Sequence, residues 1–172
     1  MTVTLRRTQK LASVLPVTTE TPPAPDNALG DWYANRLVVD RKPLLLLLSA
    51  RALLAILVPA RDLRTLPSRL GQVVAERLRR FGIEKELIHA EVAAMGRVHV
   101  SKTSDRAVVG IMVDFAKMIP YHLDQGAWDE STLPFVEAEL AGAPCFSGRP
   151  GDQTVFPDVA TRALIATRWR AG

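Results

Sequence analysis

The chain has 172 residues, of which 48% are apolar and 23% charged. Such a composition is ordinary for a soluble globular domain, and a single cysteine, Cys145, excludes a disulfide framework; one domain over residues 1–172 is expected. Lysine and arginine outnumber acids by 22 to 18, and the excess sits in residues 1–106 while residues 107–172 are net acidic, so the basic front either attracts a phosphate backbone or an acidic protein or simply solvates arginine-rich helices.

In chain order, Thr2–Arg6 alternates and predicts a first strand, and Thr8 is expected to cap a short helix ending at Leu15 before Pro16. Residues 16–28 hold four prolines without apolar periodicity, which predicts a Pro-rich loop or extended tether. Trp32–Val39 reads as a strand, Asp40–Pro43 as its turn, and Leu44–Leu48 as a returning strand buried on both faces. A further short strand is expected over Ala55–Val58.

Pro67 suits a first helical position, and Leu70, Val73, Val74, Leu78 and Phe81 recur at helical spacing up to Gly82. A second helix is predicted over Glu84–Met95, with Leu87, Ile88 and Val92 inward and Gly96 as its stop. Arg97–Ser101 alternates as a strand. Thr103, Ser104 and Asp105 offer caps for a largely buried helix from Arg106 to Ile119, closed by Pro120. A shorter helix over Leu133–Leu140 should carry its acids outward. Residues 142–157 form a Gly/Pro-rich loop, and Asp158 caps a last helix to about Arg170. This order predicts an α+β fold, a small mixed or antiparallel sheet packed against several helices.

Residues 43–60 carry a single charge, Arg51, and prolines bracket them; two buried strands are expected rather than a membrane span. Arg6, Arg7 and Lys10 are not followed by an apolar run of the kind that marks secretion, so a reducing, cytoplasmic setting is expected.

Catalysis needs converging polar groups, and the sequence offers few. Gly-rich phosphate loops of both common patterns are missing. His89, His99 and His122 lie in separate elements without a second His or Cys three or four residues further on, so no metal and no cofactor are expected. Lys102, Thr103, Ser104 and Arg106 surround a strand-to-helix junction that can either hold an anion or serve as a plain capping turn. Trp32, Tyr33 and Arg36 can stack on a base or belong to the core. The helix pair over 68–81 and 84–95 is similar in outline to a helix-turn-helix, but Glu84, Glu86 and Glu91 give its second helix the wrong sign for a major groove. Gln153-Thr-Val-Phe156 places an apolar pair on a loop, either as a plug for the core or as a docking motif. It is similar to the glutamine-led, hydrophobic-ended peptides by which bacterial proteins engage the replication sliding clamp. Gln9–Leu15 is a second peptide of this kind, whose period suits a packed helix.

Thr8-Gln-Lys-Leu, Gly30-Asp-Trp-Tyr-Ala-Asn, Val39-Asp-Arg-Lys, Val58-Pro-Ala and Thr103-Ser-Asp-Arg with Val109-Gly110 occur in order. Together they resemble a widespread bacterial domain-of-unknown-function family over residues 5–115, and beyond Asp114 the resemblance is lost. Within it, the chain resembles the SocB-type toxins, partners of SocA-type antitoxins. The resemblance implies a non-enzymatic toxin that blocks DNA replication by docking Gln153, Val155 and Phe156 on the DNA polymerase sliding clamp, with the cognate antitoxin as second partner. Two other readings are a nucleic-acid-binding regulator using the basic front, with steeply salt-dependent affinity, and an enzyme with a dispersed site around Lys102, Thr103 and Arg106.

Overall fold

Side chains alternate across a strand, so a run of pure leucine has to bury both faces at once. The computed structural model describes residues 1–123, 126–146 and 153–170. In it Leu45 and Leu47 enter one core while Leu44, Leu46 and Leu48 enter another. Between the two cores lies a five-stranded sheet of β1 (Thr2–Arg7), β2 (Trp32–Val39), β3 (Lys42–Ser49), β4 (Ala55–Pro59) and β5 (Arg97–Lys102), in the order β4-β3-β2-β1-β5. The leucines occupy β3, inside the sheet. Full burial of each contributes about 1.5–3 kcal/mol, which makes the run the centre of both cores.

The sheet is mixed. β1 runs parallel to β2 and β5, with Leu5 opposite Trp32 and Val100, while β2, β3 and β4 form an antiparallel meander. On one face pack α1 (Leu66–Arg80), α2 (Lys85–Met95) and α5 (Pro157–Trp169), which bring Leu70, Val74, Leu78, Ile88 and Ile165 against Val3, Leu5 and Trp32. On the other pack α3 (Arg106–His122) and α4 (Leu133–Ala141), whose Met112, Phe115, Ile119 and Val136 meet Tyr33, Leu46 and Leu57. The architecture is α+β, as composition and element order predict. The apolar segment 43–60 supplies β3 and β4, and among the described residues no helix is long and apolar enough to cross a membrane.

Several local expectations are corrected. The β2–β3 turn is tighter than Asp40–Pro43: only Asp40 and Arg41 lie outside the strands, both left-handed (φ 51° and 64°). Two central residues at positive φ match the twist of the flanking strands. Residues 8–15 form no α-helix. A 3-10 turn spans Gln9–Leu11, the Thr8 hydroxyl reaches Asn35 instead of capping it, and Leu11 and Leu15 are buried.

The Pro-rich stretch is no loose tether. Thr18 N donates to Val100 O at 2.9 Å, Val100 N donates to the Thr18 hydroxyl at 2.7 Å, and Thr2 N donates to the Asp26 carboxylate at 2.8 Å. Polar side chains and main chain there complete the hydrogen bonding of β5 and β1, which outweighs the lack of apolar periodicity. α3 continues through Pro120 to His122, since a proline in the last turn forfeits one bond only and Leu123 N closes back on Pro120 O. α5 begins at Pro157, with Phe156 rather than Asp158 in the extended cap position; proline's fixed φ favours that first helical site.

Candidate functional site

The segment singled out as a docking motif is held by a two-residue antiparallel ladder. Cys145 N donates to Val155 O at 2.7 Å, and Val155 N donates to Cys145 O at 2.8 Å. Directly opposed residues point to the same side and their neighbours to the other. Accordingly Cys145 is buried and Val155 packs against the second core, while Phe146 and Phe156 stay 60% and 44% exposed. Gln153 and Thr154 are exposed as well. The structure therefore brings Gln153 and Phe156 to the surface and turns Val155 inward. Phe146 joins Phe156 on the outer side, a partner that sequence reasoning missed. Of the loop over 142–157, residues 147–152 lie outside the described residues. Burial pushes the Cys145 thiol up to about 11, with the Asp114 charge adding to the shift.

The Lys102–Arg106 junction is built as a cap. Asp105 Oδ1 accepts Ala107 N at 2.9 Å, so a carboxylate from the chain itself occupies the start of α3, where an anion would have to bind. Tyr33 Oη accepts Asp105 N at 3.0 Å and lies 3.3 Å from Ser104 Oγ, fixing the turn over β2. Lys102, Ser104 and Arg106 are exposed, Thr103 is half-buried, and Arg6 donates to Lys102 O. Trp32 and Tyr33 are buried, so neither ring is presented for stacking; only Arg36 of that trio is exposed. The second peptide, Gln9–Leu15, likewise has Leu11 and Leu15 in the core. His89, His99 and His122 stand apart, and among the described residues no group of three His, Cys, Asp or Glu side chains assembles.

Two glutamates have roles that the sequence reading did not give them. Glu91, read as a surface acid of α2, is fully buried and gathers Ala28 N at 2.6 Å, Leu29 N at 3.1 Å and the Trp169 indole N–H at 3.2 Å. Its desolvation raises the carboxyl above the ordinary range, against the pull of those donors. Glu137, expected on the acidic outer side of α4, is buried as well. It accepts Leu57 N at 2.9 Å and both of its oxygens face Arg80 Nη2, at 2.9 and 3.1 Å. The signal was available: Glu91 follows Leu87 by four and Ile88 by three, and Glu137 follows Leu133 by four. Each thus sits within an apolar stripe, where a carboxylate has to find donors.

No curated protein and no solved structure matches the chain. A family model matches residues 4–160, well past the limit of Asp114 expected from motifs, and so takes in α4 and the Cys145–Val155 ladder along with the sheet. The chain therefore belongs to the family described as Domain of unknown function (DUF6933).

Proposed function

We propose that this chain is a docking protein rather than an enzyme: a SocB-type toxin that seats the Gln153–Phe156 segment on the bacterial DNA polymerase sliding clamp and so blocks replication, with a cognate antitoxin as its second partner. The observation that carries the reading is Phe156, 44% exposed on backbone pinned by the Cys145–Val155 ladder, with Phe146 exposed on the opposing strand of that ladder. An aromatic ring left in water on ordered backbone can enter a partner's pocket with little loss of conformational entropy. Gln153, also exposed, supplies a donor and an acceptor for the pocket rim. Val155 anchors the segment instead of filling the pocket, so Phe156 and Phe146 form the apolar pair that docks.

The test is titration of purified sliding clamp with the wild-type chain and with Gln153→Ala/Phe156→Ala, each checked for folding by circular dichroism. Micromolar or tighter binding, lost in the folded double variant, is the expected result. A folded wild type that does not bind the clamp removes this reading.

A further inference from the structure

Between α1, α4 and α5 an open groove of about 400 Å³ is lined by Arg77, Arg80, Phe81, Glu137, Val159 and Arg162. Asp158 also lines it, so three guanidinium groups face two carboxylates. Both carboxylates are already engaged. Glu137 takes Leu57 N and Arg80, and Asp158 Oδ1 accepts Val159 N at 2.7 Å in the first turn of α5. The deepest donor is left over: the Arg77 side chain is only 5% exposed, and its Nη2 is buried with no acceptor. Arg162 is exposed at the rim, with its guanidinium 4.4 Å above the Phe81 ring and Nη2 donating to Phe81 O at 2.9 Å. The site is thus a pre-built guanidinium wall with donors to spare.

The groove adjoins the docking segment. Asp158 and Val159, which line it, follow Phe156 by two and three residues, and Val159 is 66% exposed. Val159 precedes Arg162 by three, so it sits between the exposed ring and the basic rim. We propose that this groove receives an acidic side chain of the protein on which Phe156 docks. The inference rests on the docking reading above and adds the chemistry of the partner: an apolar pocket flanked by a carboxylate. A carboxylate entering here meets the exposed guanidinium groups of Arg80 and Arg162, whereas a basic group is repelled by both and an apolar one pairs with neither.

The experiment is titration of purified sliding clamp at low and high salt with four forms of the full chain: wild type, Phe156→Ala, Arg162→Gln and Arg162→Lys. Circular dichroism checks that each is folded. Arg162→Gln is expected to weaken binding by about tenfold and to flatten its salt dependence. Arg162→Lys keeps the charge and so retains the salt dependence, which separates a charge effect from loss of stacking on Phe81. Phe156→Ala loses binding at every salt concentration. If Arg162→Gln binds as the wild type does, with the same response to salt, the acidic partner is excluded while docking through Phe156 stands. A folded wild type that does not bind overturns both.

Discussion

Glu137 Oε2 accepts the backbone N–H of Leu57 at 2.9 Å, joining α4 to the outer edge of β4. Next to it, Arg77 Nε donates to Ala55 O at 3.0 Å while lying 3.6 Å from the same carboxylate. An edge strand normally offers unpaired amide groups to other chains. Here an ion pair from two helices occupies them, so β4 is closed by side chains instead of by another strand. Burial lowers the Arg77 pKa, and the Glu137 charge is what opposes that shift. Removing the carboxylate leaves a buried cation and an unpaired N–H together. Glu137→Ala should therefore cost about 3–5 kcal/mol in urea unfolding, and Glu137→Gln, which keeps an acceptor for Leu57, should cost less. A loss within about 0.5 kcal/mol for Glu137→Ala would place it among ordinary surface changes and refute this account of the edge.

Glu91 gives the fold a dependence on pH whose sign is fixed. Its folded pKa is raised above the ordinary carboxylate value, chiefly by burial. The folded chain consequently holds a proton that the unfolded chain has released, in the window between those two values. Stability from this group is complete below the unfolded value, about 4.3, and falls as pH rises through the folded one. Glu91→Gln does not titrate. The stability difference between wild type and Glu91→Gln, from denaturant melts at a series of pH values, should therefore move against the wild type as pH rises through that window. A difference that stays flat means that burial does not hold the proton.

The sheet was legible because its signals are local and strong. Leu44–Leu48 has no polar alternate position, so its burial on both faces follows from the period of a strand alone. The helices of α1 and α2 followed from their apolar spacing and from Gly82 and Gly96, both at positive φ where they end. What was not legible depends on partners distant in sequence. The loop over 16–28 reads as a tether until Thr18 is seen against Val100 and Asp26 against Thr2. Glu91 and Glu137 read as solvated acids until their donors, 63 and 80 residues away, are in place. In the docking segment, composition marked Val155 and Phe156 alike; only the pairing with Cys145 separates the inward side chain from the outward one.

That pairing also predicts the behaviour of the thiol. Cys145 is buried, and its pKa is pushed up to about 11. At pH 8 only about one thiol in a thousand is then ionised, against roughly a quarter for an unperturbed cysteine. Reaction with a disulfide reagent should be at least about 100-fold slower in the native chain than in denaturant. A native rate equal to the denatured one would show that the Cys145–Val155 ladder is open in solution.

Phe156 and Val155 are adjacent, yet their roles are opposite, and stability separates them without any partner. Val155 is packed on the second core, so Val155→Ala should cost about 1 kcal/mol from lost apolar burial. Phe156 is 44% exposed, and as the residue before α5 it caps without a side-chain bond, so Phe156→Ala gives up little packing and no capping bond. Its stability should remain within about 0.5 kcal/mol of wild type in urea, and Phe146→Ala should behave in the same way. If Phe156→Ala costs as much as Val155→Ala, the ring supports the fold in solution, and the observation that carries the docking proposal is gone. If it costs nothing, the ring remains exposed to water without contributing to stability, as a docking surface requires.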